Sequence, residues 1–198
     1  MTVPSLPVQV VGSSSGEGPV KNALCGLVLL GLSACADSLD DFDITRVATA
    51  KVSGNPLGSL LGVLALGGFA DMKLSDSQEF KNQGVKPHHV DSVKLSRLRL
   101  KVTVPASGQD LTFMKQLSFF AVAKDLPEVR VASGGPFAAG VNTVELTLDG
   151  VELKPYVVAE AMSLTTKVDG QAPKQDTTLE ATVTLHVDVN VSGVVTGN

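Results

Sequence analysis

The chain has 198 residues, with 16 Lys and Arg against 20 Asp and Glu, and a formal net charge of −4. That mild acidity provides no basic face for phosphate. With no Trp and a single Tyr, Tyr156, stacking platforms for bases or sugars are scarce, so nucleic acid is not an expected partner. The two cysteines are Cys25 and Cys35, so the chain beyond them offers no disulfide, no thiol nucleophile and no Cys metal site.

Residues 1–19 are rich in Ser, Gly, Pro and Val, with Glu17 as their only charge, and do not suit an export signal. They read as a leader, untranslated or disordered, with translation starting at Val20 if its codon is read as Met. From Val20 the order is right for export. Lys21 supplies a positive charge, residues 23–32 an apolar run, and Ser33 and Ala34 small side chains before Cys35. The run falls well short of the roughly 20 residues needed to span a bilayer, so residues 20–34 read as a cleaved signal. Leu32-Ser33-Ala34-Cys35 resembles the lipobox of bacterial lipoproteins. The resemblance implies a diacylated Cys35 sulfur, cleavage just before Cys35, and a membrane partner held through covalent lipid. One acyl chain holds a protein marginally and two hold it stably, at about 0.8 kcal/mol per buried CH₂. In that family the residue after the Cys helps sort the protein, and Ala36 resembles the default outer-membrane pattern of Gram-negative bacteria. No other cofactor is expected.

Removing residues 1–34 of 198 leaves 164, enough for one domain with a substantial core. Residues 35–43 read as an acidic tether. Asp37, Asp40, Asp41 and Asp43 lack the Gly and distal Glu of a calcium loop. The domain proper is expected over residues 44–198, with a first strand over 42–52. Leu57, Leu60, Leu61 and Leu64 recur at i, i+3, i+4, i+7, which predicts a short helix over 57–66, although Gly58 and Gly62 each weaken it by about 1 kcal/mol. With Phe69, these side chains suit a plug over one end of the fold, a lid over an apolar cavity, or a membrane contact.

The rest reads as β. Leu98, Leu100, Val102 and Val104 alternate with polar residues, while Val93 and Leu95 are out of phase, so a one-residue bulge is expected near Ser96. Residues 117–123 are apolar on both faces, as in a central strand, and residues 128–132 add a short one. Val144, Leu146 and Leu148 alternate up to Asp149-Gly150, which predicts a hairpin returning through 151–153. A strand is expected over 156–166, ended by Asp169-Gly170. Residues 179–191 alternate throughout, which places one face in a core and the other in water. Seven to nine strands joined by Gly, Pro and Asp turns predict an all-β fold, an antiparallel β-sandwich with one short helix, with a closed barrel as the alternative.

The residues tested for chemistry assemble no catalytic set. His88, His89 and Asp91 are the candidate metal cluster, and His186 would have to join from a distant strand. Adjacent strand residues point to opposite faces, so solvated loop histidines are the simpler reading. No G-x-S-x-G elbow is present, and Gly134-Gly135-Pro136 lacks the Lys of a phosphate loop and reads as a turn. Glu145 and Asp149 read as solvent-facing carboxylates. Arg97, Arg99 and Lys101 form a basic stripe that suits an anionic partner or simply the wet face of a strand. The expectation is therefore a non-enzymatic, lipid-anchored envelope domain with a protein partner. A carrier of apolar ligands, its cavity lined by the two-sided apolar strand over 117–123, is the alternative. The domain is similar in architecture to envelope sandwich domains of bacteria, and fold alone does not license function.

Overall fold

The structure is a computed structural model and describes residues 41–55 and 57–190. Leu32, Ser33, Ala34, Cys35 and the tether up to Asp40 lie outside the described residues, as does Val191. Asp41 and Asp43, expected in the tether, stand on the first strand.

Two antiparallel sheets form a β-sandwich. The first contains β1 (Asp41–Val52), β9 (Thr177–Val189), β3 (Val90–Val104) and β6 (Thr143–Glu145), in that spatial order. The second runs β2 (Ser59–Gly62), β8 (Met162–Gln171), β4 (Met114–Ala123), β5 (Val129–Gly134), β7 (Thr147–Leu148). Two helical turns, α1 (Gln78–Asn82) and α2 (Lys154–Val157), lie in the connections.

The period-two pattern is the reason β9 sits where it does. Leu179, Ala181, Val183, Leu185, Val187 and Val189 are all buried, and the strand pairs with β1 on one side and β3 on the other. Each of these leucines and valines removed from water contributes about 1.5–3 kcal/mol. On β3 the register jumps between Leu95 and Arg97, so Ser96 is the expected bulge. It returns Val93 and Leu95 to the same buried face as Leu98 and Leu100. β4 is the middle strand of its sheet, with Leu117, Phe119 and Ala121 fully buried. Its outer face is covered less completely. Phe120 is half-buried, with the Lys167 ammonium 4.1 Å from its ring centroid.

Three expectations are corrected. Residues 57–66 form no helix. Their centre is β2, paired with β8 from Ser59↔Gln171 to Gly62↔Val168. Gly62 takes φ +117, which a helix cannot use, and the i, i+4 leucines separate. Leu64 is buried and Leu60 half-buried, while Leu57 and Leu61 stand in water. Second, residues 143–148 do not form one arm of a hairpin. β6 pairs with β3 in one sheet and β7 with β5 in the other, so the chain crosses the sandwich at the buried Leu146. Residues 151–153 then rejoin the first sheet, where Glu152 bridges to Lys94, instead of returning along β7. Third, the strand expected over 156–166 begins later, at Met162, and runs through Asp169-Gly170. Residues 154–157 are helical, and the buried Tyr156 donates its hydroxyl to the Pro127 carbonyl at 2.7 Å.

Candidate functional site

The register divides the sandwich into two ends. At one end β1 begins and β9 stops, with Asp41 opposite Asp188. At the other, β1, β3 and β8 end, β4 and β9 begin, and residues 53–55, 57–58, 105–113, 135–142 and 172–176 gather as loops. These loops are tied in two pairs. In the first, Gly54 N–H donates to Asp176 Oδ1 at 2.8 Å, Asn55 N–H to the Pro173 carbonyl at 3.0 Å, and Ala172 N–H to the Gly58 carbonyl at 2.9 Å. In the second, Asp110 is the hub. Its Oδ2 accepts from Gly140 N–H at 2.8 Å, and its Oδ1 accepts from the Thr112 hydroxyl at 2.5 Å and from Thr112 N–H at 3.1 Å. The Thr112 hydroxyl first, and the Gly140 N–H after it, hold the Asp110 carboxyl below the usual carboxylate range. Leu111 N–H donates to the Val141 carbonyl at 2.9 Å and closes the pair.

Between the two pairs lies a cleft of about 280 Å³. Gly108, Gln109, Asp110 and Thr112 line one wall, Gln171 and Lys174 the other. A second cleft of about 390 Å³ adjoins it over Ala106, Gln109, Gly140 and Asn142. Gln109 Nε2 donates to the Asp110 carbonyl at 2.9 Å and Asn142 Oδ1 accepts from the Thr143 hydroxyl at 3.2 Å, while Gln171 and Lys174 add an amide and an ammonium to the lining. Asp110 uses both carboxylate oxygens on the loops. The arrangement suits hydrogen-bonded recognition of a polar surface by loops held on a rigid scaffold. The rim was missed from sequence because neutral loop residues have no periodicity. Asp110-x-Thr112 is an Asx-turn spacing and was the one local signal.

The residues singled out from sequence are dispersed. Arg97 Nε lies 3.1 Å from Glu145 Oε1, and Arg99 Nε lies 4.0 Å from the same oxygen. Lys101 is in register with Glu180. Carboxylates from β6 and β9 therefore stand beside the basic stripe of Arg97, Arg99 and Lys101. Asp149 pairs with Arg130 at 2.7 Å. His88 and His89 occupy a 3₁₀ turn, with rings 4.1 Å apart. His88 is solvated as expected, but His89 is buried, and its Nδ1 accepts from Lys86 N–H at 3.2 Å. His186 is elsewhere, on the outer face of β9, with its Nδ1 3.0 Å from Asp43 Oδ1. Among the described residues no group of three or more His, Cys, Asp or Glu is placed to hold a metal ion. Of Gly134-Gly135-Pro136, expected as a turn, Gly134 is the last residue of β5, in register with Leu117, and the chain leaves the strand at Gly135 with φ +113. Leu57, Leu60, Leu61, Leu64 and Phe69 form no lid. Leu64 and Phe69 belong to the core, and Leu117 and Phe119, expected to line a cavity, are packed there with them.

No family model matches this sequence, and no curated protein does. Among solved structures the chain is similar to the BFDV capsid protein in the crystal structure of its decamer. The identity is 13% and the TM-score 0.40, over 76% of this chain and 98% of that one. A likeness at that level says nothing of activity. What the sheets themselves define is an antiparallel β-sandwich.

Proposed function

We propose that this chain is a lipid-anchored cell-envelope lipoprotein whose β-sandwich is a non-enzymatic interaction domain, sited at the outer membrane of a Gram-negative bacterium. The lipobox Leu32-Ser33-Ala34-Cys35 supports the anchor. The observation that supports an interaction domain is the loop rim. Two pairs of loops are cross-tied through Asp110 and Asp176 at the end of the sandwich opposite Asp41, where the chain arrives from Cys35. Loops ordered before binding lose less conformational entropy on association. The rim meets a partner protein through Gln109, Gln171 and Asn142, which hydrogen-bond without needing a charged complement. The apolar-carrier reading loses support, since its lid is a strand and the side chains meant to line its cavity are packed in the core.

Two measurements test this. Fatty-acid labelling and intact mass should show acyl chains on the wild type and none on Cys35→Ser, which should also leave the membrane fraction. An unlabelled wild type would refute the anchor. A photocrosslinking residue at Gln109 should capture a discrete envelope protein, while the same residue at Lys124, at the opposite end, should not. Equal capture at both positions would refute the rim as the recognition surface.

A further inference from the structure

The outer face of the β1-β9-β3 sheet is open among the described residues, and its ladders fix which side chains share it. Ile44 and Ala48 of β1, Val183 and Leu185 of β9, and Leu98 and Leu100 of β3 turn into the core, so their alternates turn out together. Charge is sorted along that face. Where β1 begins, Asp41 is in register with Asp188 and Asp43 with His186. Lys94 completes the second of these rungs from β3, where the bridged Glu152 balances it. Farther along, Arg97, Arg99 and Lys101 follow one another on β3, against Glu145 and Glu180. The face thus has an acidic corner and a basic stripe, set apart along the strands. Beside them Thr45 is in register with Thr184 and Val47 with Thr182. These short β-branched side chains are stiff and lose little freedom when covered.

Such a face is complementary to itself. A two-fold axis lying in it, midway between corner and stripe, sets each corner on the partner's stripe and brings the Thr and Val side chains of the two copies together. Isologous contacts are built this way, with one patch serving both partners. An uncharged centre ringed by charge is also the usual anatomy of an interface. The area is sufficient. β1, β9 and β3 have 12, 13 and 15 residues. Strands of that length reach about 40 Å and three of them span about 15 Å, so two copies cover about 1,200 Å², the lower bound for a stable pair.

We propose that two copies of this chain pair face to face through the outer side of the β1-β9-β3 sheet, with Asp43 and Asp188 of each copy against Arg99 and Lys101 of the other. The inference stands apart from the lipoprotein reading and needs no lipid. The two-fold turns one copy end for end. The loop rims therefore lie at opposite ends of the pair, and both remain open to a partner protein.

The test is sedimentation equilibrium of the full chain, purified in a density-matched detergent. The wild type should be a dimer at micromolar concentration in low salt and should dissociate as sodium chloride is raised, since salt screens exposed charge pairs. Asp43→Lys with Asp188→Lys makes the face basic throughout, and Arg99→Glu with Lys101→Glu makes it acidic throughout. Either double variant alone should dimerise about a hundredfold more weakly, because like charges then meet across the axis. The two mixed in equal amounts should recover a dimer, each supplying the charge the other lacks, while a shared micelle would hold all of them together alike. Melting near the wild-type temperature checks that each variant is folded, and the salt titration of the wild type needs no substitution. A monomeric wild type overturns the proposal. So does a dimer that ignores salt or survives either reversal, since its contact lies elsewhere. Folded variants that stay monomeric when mixed also overturn it.

Discussion

Arg46 lies on the core-facing side of β1, between the buried Ile44 and Ala48. A charge turned inward on an edge strand discourages other strands from docking there, but it must be satisfied. Glu79 satisfies it. Arg46 Nη1 donates to Oε1 at 2.7 Å and Nη2 to Oε2 at 3.1 Å, a two-pronged pair with side chains 28% and 33% exposed. α1 is only five residues long and cannot hold itself. This pair fixes it to β1, together with Phe80 packed edge-on to Phe42 at 5.1 Å. The Arg46 hydrogen bond outweighs the opposing effect of partial burial and lowers the Glu79 carboxyl from 4.5 to about 2. The folded value is below the unfolded one, so the stabilisation is complete above pH 4.5 and drains away as pH falls toward 2. With solvent screening it is worth about 1 kcal/mol. Glu79→Gln should show that deficit in urea unfolding at pH 7 and match the wild type near pH 2. A deficit that ignores pH would mean that packing, not charge, is what Glu79 supplies.

Two elements depend on single side chains that repair a ladder. Where the chain leaves β2, Leu64 loses its backbone partner on β8 and Thr166 takes over. Its hydroxyl accepts from Leu64 N–H at 2.8 Å and donates to the Leu64 carbonyl at 3.1 Å, with both residues buried. Thr166→Val keeps the shape and strands the buried Leu64 N–H, while the Leu64 carbonyl keeps the Leu66 N–H at 3.0 Å, at a cost of about 1–3 kcal/mol. The urea midpoint should fall at constant slope and exchange of the Leu64 amide should quicken, with Thr166→Ser restoring most of both. Ser96 is the second repair. It has no ladder partner, and its hydroxyl donates to the Thr184 carbonyl at 3.1 Å. Deleting it would turn Val93 and Leu95 toward water, at about 1.5–3 kcal/mol each, and calorimetry should show a melting temperature many degrees lower. An unchanged melt would mean that β3 tolerates either register. Ser96 could be read from sequence because a phase slip between Leu95 and Leu98 has one economical cause. The β2 segment could not, since a leucine pattern of helical period can also place leucines on both sides of an edge strand, and only the pairing with β8 decides between them. The β6–β7 crossing was hidden for a related reason. Alternation at Val144, Leu146 and Leu148 is the same whether or not the strand changes sheets. The loop rim has no period at all, and its order comes from Asp110 and Asp176 meeting loops far away in sequence.

Among the described residues the sandwich closes on β9. β9 lies between β1 and β3, so the first and last described strands are neighbours, and Ile44 pairs with Leu185 across the whole domain. A fold built on such distant pairing cannot assemble piecemeal from the N-terminus, and refolding is expected on the millisecond-to-second scale. Without β9, β1 has no sheet partner and β3 retains only β6. The six buried side chains that would be lost, Leu179, Ala181, Val183, Leu185, Val187 and Val189, supply on the order of 10 kcal/mol, as much as the net stability of a typical domain. A chain ending at Asp176 should therefore show no cooperative transition by calorimetry or circular dichroism, while the chain through Asn190 should show one. The rim should fail with the rest, because Asp176 can hold Gly54 only if β9 and β1 bring them together. A truncated chain that still melts cooperatively would show that the β2-β8-β4-β5-β7 sheet carries a core of its own, and that the sandwich is two units instead of one.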